Sequence, residues 1–162
     1  MKPEGRPGAY LLRDPGHLLA LGFGAGLMPR APGTFGTLAA LPLYWVLAST
    51  LALPAYLGVV AVLAGLGVFL CGRTARVLGA QDPGAVVWDE IVGLLLALAG
   101  VPPDWPWVLA GLVLFRGLDI LKPWPVSWVE RRFHGGLGIM ADDLVAGALV
   151  LALTGLGRGL FQ

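Results

Sequence analysis

Two adjacent acidic pairs, Asp89–Glu90 and Asp142–Asp143, are the residues of this chain best suited to chemistry. Each opens onto an apolar run with a glycine close behind: Asp89-Glu90-Ile91-Val92-Gly93 and Asp142-Asp143-Leu144-Val145-Ala146-Gly147. Both read as the opening turn of a helix, where the helix dipole favours negative charge, and the glycine would admit a neighbouring helix. Capping and close packing explain one acid per helix. They explain poorly two adjacent carboxylates, which repel, and the same arrangement occurring twice. Carboxylates concentrated at the edge of an apolar body need a cation. An oxygen-only ligand set of Asp89, Glu90, Asp142 and Asp143, in a chain with 2 histidines, suits a hard ion such as Mg²⁺.

Basic residues stand beside these acids. Arg116 and Asp119 are three apart and can share a helical face. Lys122, Arg131, Arg132 and His134 follow. Gly135, Gly136 and Gly138 would leave backbone N–H groups free to approach an anion. Carboxylates holding Mg²⁺ next to Arg and Lys suggest a phosphate site. Anchoring at a membrane surface is an equal reading for Arg131 and Arg132 taken singly, and a surface or capping role for His134. Thr34 and Thr37, at a Gly-flanked turn, could donate to phosphate or cap the helix that follows. Spacing excludes familiar nucleophiles. A cysteine phosphatase needs Arg six positions after its Cys, where Cys71 has Val77, and no Asp-x-Asp-x-Thr run is present. Attack by a metal-activated water, or by a carboxylate, remains.

The elements that position these residues must be helices. Of the 162 residues, 57% are hydrophobic and 13% charged, against roughly 25% charged in an ordinary soluble domain. The apolar runs are rich in Leu, Ala and Gly and lack alternation of period two, which predicts helix rather than strand. Pro54 and Pro102-Pro103-Asp104-Trp105-Pro106 break the runs. The fold expected is all-α: one bundle of about five or six apolar helices over residues 17–162, embedded in a membrane, behind a flexible segment over residues 1–16. A soluble bundle with a very apolar core is the alternative. If successive helices alternate in direction, Arg30, Arg73, Arg76, Arg116, Lys122, Arg131 and Arg132 fall on one side with the acids, and Asp104 on the other. That is a positive-inside pattern, with Trp105, Trp107, Trp124 and Trp128 near helix ends. It places the charged rim in the cytoplasm. The net charge of +1, without a basic stripe, excludes nucleic acid as a partner, and the single Cys71 excludes an internal disulfide.

Four stretches, in order, resemble one enzyme family. They are Pro32-Gly33-Thr34-Phe35-Gly36-Thr37-Leu38, Asp89-Glu90-Ile91-Val92-Gly93, Phe115-Arg116-Gly117-Leu118-Asp119-Ile120-Leu121-Lys122-Pro123-Trp124-Pro125 and His134-Gly135-Gly136-Leu137-Gly138-Ile139-Met140-Ala141-Asp142-Asp143-Leu144-Val145-Ala146-Gly147. Together they closely resemble phosphatidylglycerophosphatase A, from about Leu21 to Leu153. The resemblance implies an all-α enzyme of the bacterial inner membrane, which the charge pattern above makes multi-pass with its site on the cytoplasmic side. It implies Mg²⁺-dependent hydrolysis of phosphatidylglycerophosphate to phosphatidylglycerol and inorganic phosphate in phospholipid biosynthesis. The family's acidic positions fall on Asp89, Glu90, Asp119, Asp142 and Asp143, its basic positions on Arg116 and Lys122, with His134 in the Gly-rich motif. The expected roles are metal binding by Asp89, Glu90, Asp142 and Asp143. Catalysis is expected from Asp119, Asp143, Arg116, Lys122 and His134. Substrate binding is expected from Thr34, Thr37, Arg116, Lys122 and Arg131. The rivals are a small membrane cation transporter or channel subunit, and a soluble helical phosphohydrolase of the same superfamily.

Overall fold

The computed structural model describes residues 8–160, with side chains as far as Leu156. The part of the expected flexible start that covers residues 1–7 lies outside the described residues. The helices are α1 (Pro15–Ala20), α2 (Pro32–Thr50), α3 (Leu53–Leu78), α4 (Trp88–Ala97), α5 (Trp105–Leu121), α6 (Val126–Arg132) and α7 (Gly135–Leu160), with 3-10 turns over Ala9–Arg13 and Gly22–Leu27. No strand occurs among the described residues. The chain is all-α, as its composition predicts.

Proline sets the helix starts. Pro15, Pro32, Pro54 and Pro106 stand in the first positions of α1, α2, α3 and α5, where the missing N–H has no partner to lose and the fixed φ suits a helix. Gly79 ends α3 in the left-handed region at φ 72°, which costs glycine nothing.

The core lies along α4. Val92, Leu94, Leu95 and Ala97 are fully buried there, and α7, α2 and α3 pack against it. Glycines bring these helices unusually close. A Cβ on Gly147 of α7 would lie 2.4 Å from the Gly93 carbonyl oxygen of α4, and one on Gly136 would lie 1.8 Å from the Val68 oxygen of α3. Neither position has room for a side chain.

The long helices alternate in direction. At one end, the starts of α2 and α4 meet the finish of α5. At the other, the Tyr44 hydroxyl of α2 donates to the Val101 oxygen beyond α4 at 2.9 Å, and Trp45 packs on Trp105 at the start of α5 with ring centroids 4.7 Å apart. Among the described charged side chains, Asp104 alone belongs to this second end. The exterior is apolar: Val46, Val62, Phe69, Val113 and Leu153 are all exposed. Two helices, α3 and α7, are long and apolar enough to cross a membrane. Only 22% of the α3 window, with mean hydropathy 2.2, is buried inside the protein.

The expectation of a loose segment over residues 1–16 does not hold from Gly8 onward. Leu11 is buried. Asp14 caps α1 by accepting from the Gly16 and His17 N–H groups at 2.8 and 3.2 Å. Both Asp14 oxygens also accept from Arg73 of α3, at 2.8 and 2.7 Å. The His17 ring nitrogen Nδ1 lies 2.9 Å from the Thr74 hydroxyl, which itself donates to the Leu70 oxygen. Neighbouring charges and caps of this kind leave no mark on hydropathy, so composition alone reads the segment as ragged.

This latch has a pH signature. The Arg73 hydrogen bonds hold the Asp14 carboxyl well below the usual carboxylate range. A pKa lowered in the folded state stabilises above the unfolded value, about 3.9, and that stability is lost as pH falls toward the folded one. Asp14→Asn is therefore expected to lower the melting temperature at pH 7. The gap from wild type should close as pH drops below about 4. The pair is about one-third exposed (36% and 40%), so 1 M salt should also narrow it. A gap that persists unchanged at pH 2 would rule the carboxylate out as its cause.

Candidate functional site

The site is assembled at the end where α2, α4, α5 and α7 meet. The start of α4 is anchored first. The Val87 N–H donates to the Ala20 oxygen at 2.9 Å, and Trp88 Nε1 donates to the Leu63 oxygen of α3 at 3.1 Å. This fixes the opening turn so that Asp89 points inward, 7% exposed. From the facing helix α7 comes Asp143, 3% exposed. One oxygen from each of Asp89, Glu90 and Asp143 lies within 4.8 Å of the other two. Three carboxylates at that spacing in a buried position repel strongly unless protonated or neutralised by a cation. Burial pushes the Asp89 and Glu90 carboxyls up, and for Asp89 the Glu90 and Asp143 charges push in the same direction.

Helix α5 contributes the counter-charge. The Arg116 Nη1 donates to Asp119 Oδ2 one turn later and lies 3.8 Å from Glu90 Oε1, with all three side chains 15% exposed. The first turn of α2 closes this face. A Cβ on Gly33 would stand 2.2 Å from Glu90 Oε1 and 3.1 Å from both terminal guanidinium nitrogens of Arg116.

Among the described residues, three buried polar atoms are left without a protein partner: Asp89 Oδ1, Glu90 Oε2 and Arg116 Nε. Buried polar groups are nearly always paired. The unpaired set here is two acceptors on acids and one cationic donor. A divalent cation carrying an anion would satisfy both kinds, and an all-oxygen ligand set suits Mg²⁺.

Not every expected residue joins this group. Asp142 and Asp143 are the eighth and ninth residues of α7, not its opening turn. The helix begins earlier because the glycines after His134 are helical and packed. A Cβ on Gly138 would lie 2.6 Å from the Phe133 oxygen. Gly136 thus lies against α3, and Gly138 against the Phe133 backbone. Adjacent residues on a helix point about 100° apart, so when Asp143 faces α4, Asp142 cannot. Asp142 Oδ2 instead accepts from Lys122 Nζ at 2.8 Å, and Glu130 Oε1 accepts from the same ammonium at 2.8 Å. Burial alone would lower the Lys122 pKa; the hydrogen bonds to Asp142 and Glu130 outweigh it and hold the amine protonated.

His134 lines a cleft of about 140 Å³ beside this pair, with Asp82, Glu130 and Asp142. Arg131 is exposed. Neither has a side-chain bond tying it to the three-carboxylate group. Thr34 does not cap α2: the cap is Ala31, in the left-handed region at φ 48°. The buried Thr37 hydroxyl donates to the Thr34 oxygen at 2.8 Å.

Sequence reasoning missed Glu130 and Gly33. Glu130 stands eight residues from Lys122, a spacing with no meaning on one helix, and becomes its partner only because α6 turns back. The glycine of Pro32-Gly33-Thr34 was legible as a turn, not as a residue pressed against a carboxylate.

The profile of the phosphatidylglycerophosphatase A family matches residues 18–157. A protein of Escherichia coli strain K12 named phosphatidylglycerophosphatase A is 50% identical over 139 residues, covering 85% of this chain and 80% of its own length. One of the same name from Haemophilus influenzae is 45% identical over 136 residues, covering 83% of each chain. A Bacteroides thetaiotaomicron protein, named as a candidate phosphatidylinositol-3-phosphatase, is 38% identical over 148 residues, covering 87% of this chain and 92% of its own. No solved structure matches the chain.

Proposed function

The chain belongs to the phosphatidylglycerophosphatase A family, and on that premise we propose that it is a Mg²⁺-dependent lipid phosphatase. Its substrate is phosphatidylglycerophosphate, and its products are phosphatidylglycerol and inorganic phosphate. One observation carries the reading beyond the family name. Asp89 Oδ1, Glu90 Oε2 and Arg116 Nε are buried without partners among the described residues, on side chains that meet through the Arg116–Glu90 contact and the three-carboxylate group, and an ion with a bound phosphomonoester would supply what each lacks.

Asp89, Glu90 and Asp143 would hold the ion. Bound there, it supplies positive charge against the phosphoryl oxygens and makes an attacking water more acidic. Arg116 is oriented by Asp119 and Glu90 and presents its free Nε–H to the phosphate, where negative charge grows in the transition state. Asp119, already committed to Arg116, is a positioning residue. Lys122 is engaged by Asp142 and Glu130. Its part is to neutralise Asp142 and fix the last turn of α5 against α7; it reaches a headgroup only if that bridge opens.

The lipid character of the substrate fits the body of the protein. The apolar exterior of α3 and α7 suits acyl chains, and the charged end is where a headgroup meets the bundle. Arg73, Arg76, Arg116, Lys122, Arg131 and Arg132 at that end support, by the positive-inside rule, a site facing the cytoplasm. Helix α4, with 10 residues, is too short to span and is enclosed by the others.

The test is phosphate release. Detergent-purified protein given phosphatidylglycerophosphate and Mg²⁺ is expected to liberate inorganic phosphate, to stop in EDTA, and to resume when Mg²⁺ is restored. Undiminished release in EDTA would defeat the metal reading. Cation flux in proteoliposomes without any release would favour a transporter instead.

A further inference from the structure

The geometry points to Gly33 as a positioning residue that fixes the Glu90 carboxylate for ion binding. This rests on the metal reading above. Gly33 is in the first turn of α2 and does not have positive φ, so alanine there would suit the helix backbone better than glycine does. What forbids alanine is the site. Its Cβ would stand 2.2 Å from Glu90 Oε1 and 3.1 Å from Arg116 Nη1 and Nη2. Contacts under 3 Å oblige something to move. The Glu90 side chain is the mobile party, because Val87 and Trp88 pin the backbone behind it.

The absence of a side chain at 33 has a direct consequence. The α2 backbone can press against Glu90 and leave Oε1 facing Arg116 at 3.8 Å, while Oε2 remains unpaired and one oxygen of the carboxylate lies within 4.8 Å of Asp89 and Asp143. A methyl group would push the carboxylate out of both relationships. Gly36, one turn further on, is a useful contrast. Its Cβ would meet the Val87 side chain at 2.7 Å, so it too lacks room for a side chain but touches no carboxylate.

The experiment is a double-mutant cycle read by Mn²⁺ binding, for example by electron paramagnetic resonance of detergent-purified protein, with phosphate release in parallel. Glu90→Asp shortens the side chain by one C–C bond, about 1.5 Å, and makes room for the new methyl. Gly33→Ala in the native background should weaken Mn²⁺ binding about 10- to 100-fold, the usual effect of losing a group that orients a ligand. In the E90D background the same change should weaken it less than about threefold. Gly36→Ala should show no such dependence on residue 90. Equal losses in both backgrounds, wild-type affinity in Gly33→Ala, or loss of fold in both backgrounds would each overturn the assignment and leave Gly33 a packing residue. Failure of the wild-type protein to bind Mn²⁺ would instead defeat the metal reading itself.

Discussion

Asp143→Asn is expected to lower phosphate release by about 10²- to 10³-fold, the scale of removing one group that answers charge in a transition state, while the protein remains folded. Asparagine keeps the size and shape of aspartate, and the residue is 3% exposed, so packing is preserved. What is lost is one negative charge within 4.8 Å of Asp89 and Glu90. Without an ion, that loss relieves repulsion between buried carboxylates. The variant should therefore melt at the same or a higher temperature than wild type in EDTA, yet gain less from added Mg²⁺. Opposite signs for stability and activity separate a ligand from a structural residue. Asp142→Asn provides the comparison. Asp142 pairs with Lys122, so its loss should lower stability and leave the Mg²⁺-induced gain in melting temperature intact. A Mg²⁺-induced gain as large in Asp143→Asn as in wild type would remove Asp143 from the ion site.

Gly147→Ala should unsettle the whole cluster from a distance. The added Cβ would sit 2.4 Å from the Gly93 oxygen, a backbone atom that cannot rotate away. Helix propensity alone would favour alanine by about 1 kcal/mol. Overpacking at a helix crossing costs about 1–3 kcal/mol, occasionally more, and a collision with backbone belongs at the upper end. The net expectation is a loss of about 2 kcal/mol. To relieve the clash α4 and α7 must separate, and these two helices carry Asp89, Glu90 and Asp143. Melting temperature and ion affinity should fall together. Gly155→Ala, further along α7 with open space around it, should be neutral or stabilising. If Gly147→Ala binds Mn²⁺ like wild type, the α4–α7 spacing does not set the ion site.

The helical class was legible because it depends on composition. Runs of Leu, Ala and Gly cut by proline can be satisfied only by helices whose backbone bonds are internal, and Pro32, Pro54 and Pro106 marked three starts within a residue or two. The pairing of acids with Gly93 and Gly147 was legible as a close helix contact, and those two glycines do meet. That Asp89, Glu90 and Arg116 could form one candidate site was legible from type and spacing, and the fold does bring their side chains together.

Other features depended on how helices face one another. The sequence treats Asp142 and Asp143 alike; a rotation of about 100° between neighbours sends one to the carboxylates of α4 and the other to Lys122. The glycines at 136 and 138 carry the same symbol as loop glycines, and only the nearness of Val68 and Phe133 shows that they belong to a helix pressed against its surroundings. The latch from Asp14 to Arg73 spans 59 positions, and no local pattern announces a bond of that length. Sequence by itself determined which elements form and which chemical groups they carry, because helix formation and residue chemistry are local. The tertiary structure decided which of those groups meet, because a side chain's partner is set by helix rotation and approach, and these are fixed by distant residues with no side chain at all.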